Sequence, residues 1–324
     1  MTGVPPGGRA LAVERTGPLV TVQDRGRPGW ARSGVSRSGA ADRRSLLRAN
    51  LLVGNTSSAA GLEVLLGGLH VRATAHLVVA VSGAECPLAV DGRPVPRDAV
   101  LDLPPGARLC LGTATAGLRA YLAVRGGVAV PPELGSRSRD TLAALGPQPL
   151  VPGDTVPVGP SGPGAGPDVG GWPVLDVAPV GPLPGLQDVL TLRAVPGPRL
   201  DRLTSRAALA LWRTRWAVAP ASDRVGVRLD GPPLDLDPEA AAGLPSEPLV
   251  RGAVQVPPGG QPVIFLADHP VTGGYPVAAV VLDADTDRLA QARPGRPVRF
   301  RRTGGPPPRA ADGGTAGWEA WTQG

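Results

Sequence analysis

The sequence predicts a mainly β chain, built as two related β-barrel units with a few short helices. Three observations carry that prediction. The first is composition: 46 glycines and 40 prolines in 324 residues punctuate short apolar runs, a texture that strands accommodate and helix interiors do not. The second is an internal echo. Ala217 to Leu234 (AVAPASDRVGVRLDGPPL) lines up with Ala80 to Val95 (AVSGAECPLAVDGRPV), sharing the Ala-Val start, the apolar alternation, an Asp-Gly turn and a following proline. The third is context. Each copy is preceded by one helical stretch and followed by a Pro-Pro-Gly turn, at Pro104–Gly106 and Pro257–Gly259, as a duplicated unit would be.

In order along the chain, residues 1–10 are expected to be a disordered leader and residues 11–150 the first barrel. Leu11 to Val22 reads as two short strands around Thr16-Gly17-Pro18. A polar, glycine-broken loop from Gln23 to Trp30 then leads into Ser38–Asp42. From Asp42 to Val53 the period changes to that of a helix, with Asp42 as N-cap, Gly54 as the stop and Leu46, Leu47, Asn50 and Leu51 on one face. Strands return at 62–71 and 76–81, Asp91-Gly92 signals a hairpin turn, and Ala107–Leu111 and Leu118–Val124 read as further strands. Residues 151–185 are rich in Gly and Pro without periodicity and are expected to be a linker. The second barrel is expected over 186–303, with a helix from Thr204 to Thr214. A strand at Ala253–Val256, a turn at Pro257–Gly260, a buried run Val263–Ala267 and a polar Gly-rich loop Asp268–Pro276 follow. Residues 304–324 read as a disordered tail.

Composition excludes several chemistries. All 33 basic residues are arginine. Without lysine there is no Walker A loop, no Schiff base and no covalent biotin on this chain. The net charge of +6 comes from arginines interspersed with acids, the pattern of a solvated surface rather than of a nucleic-acid face. Cys86 and Cys110 lie in apolar runs and are expected to be small buried hydrophobes. His70, His76 and His269 have no metal-ligand spacing, and no Gly-x-Ser-x-Gly elbow occurs. No apolar run approaches the roughly 18 residues of a membrane span, so a cytoplasmic protein is expected.

What remains is electrostatic chemistry, and the second copy is the richer in polar groups. Its aligned turn reads Ser222-Asp223-Arg224 where the first copy has Ala84-Glu85-Cys86, and its late loop reads Asp268-His269-Pro270-Val271-Thr272-Gly273-Gly274-Tyr275. Arginines and the N–H groups of Gly-rich loops polarise carbonyls and hold oxyanions. Asp223, Arg224, Asp268 and Thr272 are therefore the expected catalytic residues. Ser222, Arg228, Gln255, Gly273, Gly274 and Tyr275 are expected to bind substrate.

Eight segments in order carry a family resemblance: TVQDRGRPGW, GVSRSGAADRRSLLRANLLVGN, GLEVLLGG, AYLAVRGGV, LGSRSRDT, SDRVGVRLDGPPL, GAVQVPPGGQPVIFLADHPVTGGYP and LAQARPG. Over residues 11–303 the chain resembles the family of the 5-oxoprolinase C subunit (KipA), grouped with the second allophanate hydrolase subunit and the carboxyltransferase domain of urea amidolyase. The resemblance implies two cyclophilin-like β-barrel domains and two partners, the KipI-like B subunit and the A subunit of 5-oxoprolinase. It also implies ATP-dependent opening of the 5-oxoproline lactam to glutamate, with ATP at or shared with a partner. In that chemistry Arg224, Arg228 and the Thr272-Gly273-Gly274 backbone would meet the charge developing on the carbonyl. Two alternatives are a biotin-dependent carboxyltransferase acting on urea or a similar amide, and a regulatory protein that binds a KipI-like kinase inhibitor. The chain departs from the family at Ala41 (usually Met), at Val225-Gly226-Val227 (commonly Met-Gly-Tyr) and at His269-Pro270-Val271 (usually Arg-Gln-Thr).

Overall fold

The computed structural model describes residues 8–160, 183, 185–238 and 244–304. Residues 1–7 of the expected leader, 161–182 and 184 of the expected linker and 305–324 of the expected tail lie outside the described residues. The first unit contributes β1 (Ala10–Arg15), β2 (Leu19–Gln23), helix α1 (Arg43–Leu52), β3 (Gly61–Leu65), β4 (His70–Ala73) and β5 (Leu77–Glu85). It continues with β6 (Leu88–Val90), β7 (Arg93–Val95), β8 (Leu101–Leu103), β9 (Arg108–Leu111), β10 (Ala116–Val124) and β11 (Thr155–Pro157), the last within the stretch expected to be linker. These strands form two sheets, in the orders β11-β1-β4-β9-β6-β7 and β2-β3-β10-β5-β8. Their inner faces share one core that includes Leu11, Val22, Leu62, Leu77, Leu109 and Leu122.

The second unit contains β12 (Leu190–Pro196), α2 (Ser205–Arg213), β13 (Trp216–Val218), β14 (Gly226–Asp230), β15 (Glu247–Pro248) and β16 (Ala253–Gln255). After these come β17 (Val263–Phe265), β18 (Thr272–Gly273), β19 (Val277–Val281), helix α3 (Asp283–Leu289) and β20 (Pro297–Arg302). Seven of its strands close a barrel, β12-β19-β16-β17-β14-β13-β20. Parallel pairing of β12 with β20, Leu190 opposite Val298 to Ala194 opposite Arg302, completes the ring. The described residues are thus mainly β, with one closed barrel and few helices. The first unit keeps two sheets because β5 and β6, like β8 and β9, fall in different sheets, whereas their counterparts β13–β14 and β16–β17 pair as hairpins. The two Asp-Gly turns also differ. Asp91 and Gly92 both adopt positive φ and turn the β6–β7 hairpin. Gly231 instead packs on Trp216, where an added Cβ would lie 2.6 Å from the ring.

Helix α1 forms where the period shift places it. Asp42 caps it by accepting from the Ser45 N–H at 3.1 Å, and Gly54 follows at φ +73°. Its buried face is Ser45, Leu46, Ala49, Asn50 and Leu52, while Leu47 and Leu51 are exposed. The face expected from the sequence is therefore rotated toward the bulkier leucines. The reason is close packing: Ala49 and Leu52 sit on Ala80 of β5 and Ala123 of β10, a contact that needs small side chains. Thr204 caps α2 through the Ala207 N–H. Helix α3 lacks a side-chain cap and follows β19 directly, with Asp283 and Asp285 in its first turn and Arg288 in its last. Among the described residues no helix is long and apolar enough to cross a membrane.

The cap of α1 reaches beyond its own helix, since Asp42 Oδ2 also accepts from Gln291 Nε2 of the second unit at 2.8 Å. We expect Asp42→Ala to lose about 1 kcal/mol of capping and a further ~1–3 kcal/mol for the buried amide it strands. Urea unfolding of the variant against wild type measures this, and Asp42→Asn should lose less.

Candidate functional site: a buried ion-pair layer and the barrel face beside it

The two units meet through polar groups rather than through an apolar seam. Arg224, at the β13–β14 turn, is 3% exposed. Its Nε donates to Asp268 Oδ2 at 2.8 Å and its Nη2 to Asp268 Oδ1 at 3.0 Å, the bidentate geometry that suits a guanidinium fork. Nη2 also donates to the Gly39 carbonyl at 2.6 Å, and Nη1 to Glu63 Oε1 on β3. Asp268, at 0% exposure, further accepts from Ser38 Oγ at 2.6 Å and from Thr141 N and Oγ1 at 2.9 and 2.7 Å. Ser38 is held at φ +53°, a sparsely populated conformation for a residue with a Cβ. Glu63 Oε2 accepts from the Ala41 N–H and from the Tyr121 hydroxyl, each at 2.9 Å, and Tyr121 in turn accepts from the Asp42 N–H at 2.7 Å.

Charges balance in this layer. Burial alone would raise both carboxyl pKa values, but Arg224 with Arg119 holds Glu63 below its ordinary value, and Arg224 with Ser38 and Thr141 holds Asp268 below its own. Burial would lower Arg224, and the two carboxylates more than reverse that. Tyr121 is driven well above its ordinary range, first by burial and then by Glu63 and Asp42. It stays protonated and serves as a relay of hydrogen bonds. A second clamp lies alongside: Gln291 Oε1 accepts from the Leu118 and Arg119 N–H groups at 2.9 Å, and Nε2 donates to Asp42 and to the Arg119 carbonyl. Arg251 adds a third, donating from Nη2 to the Ala41 carbonyl at 2.8 Å and to Asp287 at 2.6 Å.

The ten predicted site residues separate into three places. Arg224 and Asp268 come together inside the layer, closed to solvent. Arg228 stands in β14, just after the β13–β14 turn to which Ser222 and Asp223 belong. There Asp223 Oδ1 accepts from the Val225 and Gly226 N–H groups at 2.8 and 3.0 Å, and Ser222 Oγ accepts from the Arg228 N–H at 3.1 Å. Gln255, Thr272, Gly273, Gly274 and Tyr275 gather on the outside of the barrel. Opposite residues in paired strands share a face, and Arg228 lies opposite Val263, which lies opposite Gln255. Val254 and Ile264 point into the barrel core. Val263, Phe265 and Val277 therefore point outward, under Leu249. The small β15–β18 sheet covers this outer face. Gln255 Nε2 donates to the Tyr275 carbonyl at 3.0 Å, and Gly273 leaves no room for a Cβ beside Gln255 and Leu249. Thr272, Gly274 and Tyr275 are exposed.

Sequence reasoning misses Glu63, Ser38, Thr141, Tyr121 and Gln291. Each lies in a segment that carries the family resemblance, but reads as scaffold. Glu63 does leave a signal, since a carboxylate in the apolar run GLEVLL must either meet a cation or bear the full cost of its burial. Among the described residues no group of His, Cys, Asp and Glu is disposed to hold a metal.

Set beside this geometry, known proteins give a consistent result. Residues 33–302 match the model of the family described as "Carboxyltransferase domain, subdomain A and B". The chain belongs to that family. It is 36% identical to the 5-oxoprolinase C subunit of Escherichia coli strain K12 over 90% of both chains. It is 30% identical to urea amidolyase of Lachancea kluyveri, over 90% of this chain but 17% of that much longer protein. The crystal structure of K. lactis urea amidolyase superposes with a TM-score of 0.83 at 28% identity, covering 92% of this chain and 19% of that one.

Because Glu63 and Asp268 have depressed pKa values, their share of stability is present above their ordinary values of 4.5 and 3.8 and is lost as pH falls through and below them. Arg224→Met should leave Asp268 without a cation and Glu63 with Arg119 alone, at a loss of about 3–5 kcal/mol near neutral pH. Without the guanidinium, burial raises both pKa values, so the gap between variant and wild type should narrow as pH is lowered. Urea unfolding at pH 7 and pH 4 tests both statements.

Proposed function

We propose that this chain belongs to an ATP-dependent complex that opens the lactam of 5-oxoproline, or a closely related cyclic amide, to glutamate. Its partners in this reading are the KipI-like B subunit and the A subunit of 5-oxoprolinase, and the complex works in the cytoplasm. The observation that carries the reading is the end-to-end match to a protein named as the C subunit of 5-oxoprolinase, which spans 90% of each chain. The residues present are consistent with it. An amide carbonyl resists water until its oxygen is polarised. The barrel's outer face offers Arg228, the Thr272 hydroxyl and the N–H groups around Gly273 and Gly274 for that charge, with Ser222, Gln255 and Tyr275 to hold the ring. Arg224, Asp268 and Asp223 act in this reading through position, fixing the turn and the loop that carry the contact residues.

Two observations among the described residues support placing the nucleotide away from this chain's own core. A cavity of about 500 Å³ in the first unit is lined by His70, Cys86, Leu88, Pro94, Val95 and Cys110, an apolar set without a cation for phosphate. The chain has no lysine, and the arginines of the interdomain layer already answer carboxylates or backbone carbonyls. We therefore infer that the nucleotide sits at, or is shared with, a partner protein.

The similarity to urea amidolyase supports a second reading, carboxyl transfer to urea or a similar amide from biotin carried on another chain. Co-purification with the encoded neighbours separates the two. We expect ATP hydrolysis to rise on addition of 5-oxoproline and glutamate to accumulate in step with it. Carboxyl transfer from carboxybiotin to urea, with no response to 5-oxoproline, would replace the first reading with the second.

A further inference from the structure

Near the starts of α1 and α3, arginines from both units converge on one exposed carboxylate. Arg43, the first residue of α1, places Nη1 3.3 Å from Asp283 Oδ2 and 3.4 Å from Oδ1. Arg251, from the turn before β16, donates from Nη1 to the same Oδ1. Its Nη2 goes to Asp287 at 2.6 Å, and Asp287 also lies 3.8 Å from Arg44 Nε. The Asp283 side chain is 65% exposed, against 27% for Arg43 and 6% for Arg251. The cations therefore form the floor of this junction and the acid its outer edge. Arg37, exposed on the preceding loop, bears on both Arg43 and Asp283.

Donors outnumber acceptors here. Arg43 Nε and Arg251 Nε are buried without an acceptor among the described residues, and Arg43 Nη2, also without one, is not sealed from solvent. Charge is unbalanced in the same sense. The guanidiniums of Arg37, Arg43, Arg44 and Arg251 face Asp283 and Asp287, with Asp42 behind them, which leaves an excess of one positive charge. Burial and the like charges of Arg251 and Arg37 hold Arg43 down to about 10, although Asp283 and Asp287 pull the other way. Such a guanidinium gains from a further anion within reach. Asp283 shows which chemistry fits, since its own carboxylate already sits between two guanidinium forks.

We propose that this junction is a binding site for a small oxyanion, a carboxylate or a sulfate- or phosphate-like group, and that Asp283 is its built-in competitor. The anion takes the free donors of Arg43 and Arg37, above Arg251, and the exposed Asp283 side chain turns out to solvent. Arginine suits either shape, because its fork presents parallel N–H groups to two oxygens of a planar or a tetrahedral anion. Arg37 and Arg43 come from the first unit, Arg251 and Asp283 from the second, so the site is complete only when the two are docked. It adjoins the barrel's outer face: Arg251 and Arg43 also act on the His269 ring, which lies 6.3 Å from the ring of Phe265. The site is defined on this chain alone and does not depend on the ring-opening reading.

Titration calorimetry of the full chain at low ionic strength, with sulfate and with malonate as probes, tests this. One equivalent of at least one probe should bind, more weakly as salt is raised. Whichever binds more tightly separates a tetrahedral from a carboxylate ligand. Asp283→Asn should tighten binding at least about fivefold, the effect in water of a unit negative charge about 4 Å away. Arg37→Gln, on an exposed side chain, should weaken it about threefold, and Arg43→Gln about tenfold or more. If the arginines only tie the units together, Asp283→Asn lowers stability toward urea and gains no affinity. A second readout is the His269 imidazole. Burial, aided by Arg251 and Arg43, holds it below its ordinary value of 6.5, against the Pro270 carbonyl and Asp268. A bound anion offsets those cations, so saturating probe should raise the pH at which the ring titrates. Nitrogen-15 spectra follow this, the His269 signal being identified by its loss in His269→Asn. The proposal is overturned by no saturable binding of either probe to wild type or Asp283→Asn, by an Asp283→Asn chain that binds no more tightly than wild type, or by a His269 titration unmoved under saturating probe.

Discussion

One guanidinium sits at the centre of the polar layer that joins the two halves of this protein. Arg224 leaves the second barrel, takes both oxygens of Asp268 from its own unit, and reaches Glu63 and the Gly39 carbonyl of the other. Transferring an arginine and two carboxylates out of water is costly, and their mutual attraction offsets it only if geometry is close to ideal and leftover donors and acceptors are filled. Here they are filled from all sides: Ser38 and Thr141 complete Asp268, while Ala41 and Tyr121 complete Glu63. A lysine would not substitute, because a point charge on a flexible stem cannot hold two carboxylates and a carbonyl in one plane. Each half carries an ion pair of its own, Arg119 with Glu63 and Arg224 with Asp268, and the bonds from Arg224 to Glu63 and Gly39 fix one relative orientation of the two units.

The same constraint explains the arrangement of neighbouring loops. The loop from Gln23 to Asp42 and that from Glu133 to Gly146 must lie side by side to deliver Ser38 and Thr141 to one carboxylate. Asp24 ties them, accepting from Ser136 and Ser138 Oγ at 2.6 Å and from the Arg137 N–H at 2.7 Å. Gly39 at φ +95° lets the chain pass so close to Gly26 that an added Cβ would sit 2.8 Å from its nitrogen.

Much of this architecture is legible in the chain itself. The caps Asp42 and Thr204, the glycine after α1, the Asp91-Gly92 hairpin and the buried run at Val263 are local signals with local causes, and each marks an element that forms. The α1 face is misread because leucine bulk outweighs the small-residue contact of Ala49 with Ala80 and Ala123, which depends on a sheet far away in sequence. Arg224 and Asp268 stand out correctly as unusual, but their partners come from residues 38, 63 and 141. No spacing rule links these, because the linkage is created only when the second barrel docks on the first. Exposure is equally out of reach: SDR and ADHP read alike as polar loops, yet one arginine and one aspartate turn inward while Thr272, Gly274 and Tyr275 face solvent.

That division of labour bears on how the interface and the outer face are coupled. Asp268 and His269 are consecutive, and the loop that carries them cannot move one without the other. Five hydrogen bonds on the Asp268 carboxylate fix the backbone from which the imidazole projects. The Asp268 N–H bond to the Arg224 carbonyl at 3.0 Å ties that backbone to the neighbouring turn. The ring next door therefore loses little further freedom when a ligand approaches, because the loop is already ordered by the interface. Loosening the layer should thus be felt on the outer face even by residues that touch none of its charges. In this family member the loop also departs from its usual Arg-Gln-Thr sequence, so a fixed frame and a changed side chain meet at one position. A rigid scaffold makes such a change consequential: the frame holds whatever residue occupies position 269 at the same place, and its chemistry then decides what that place can do.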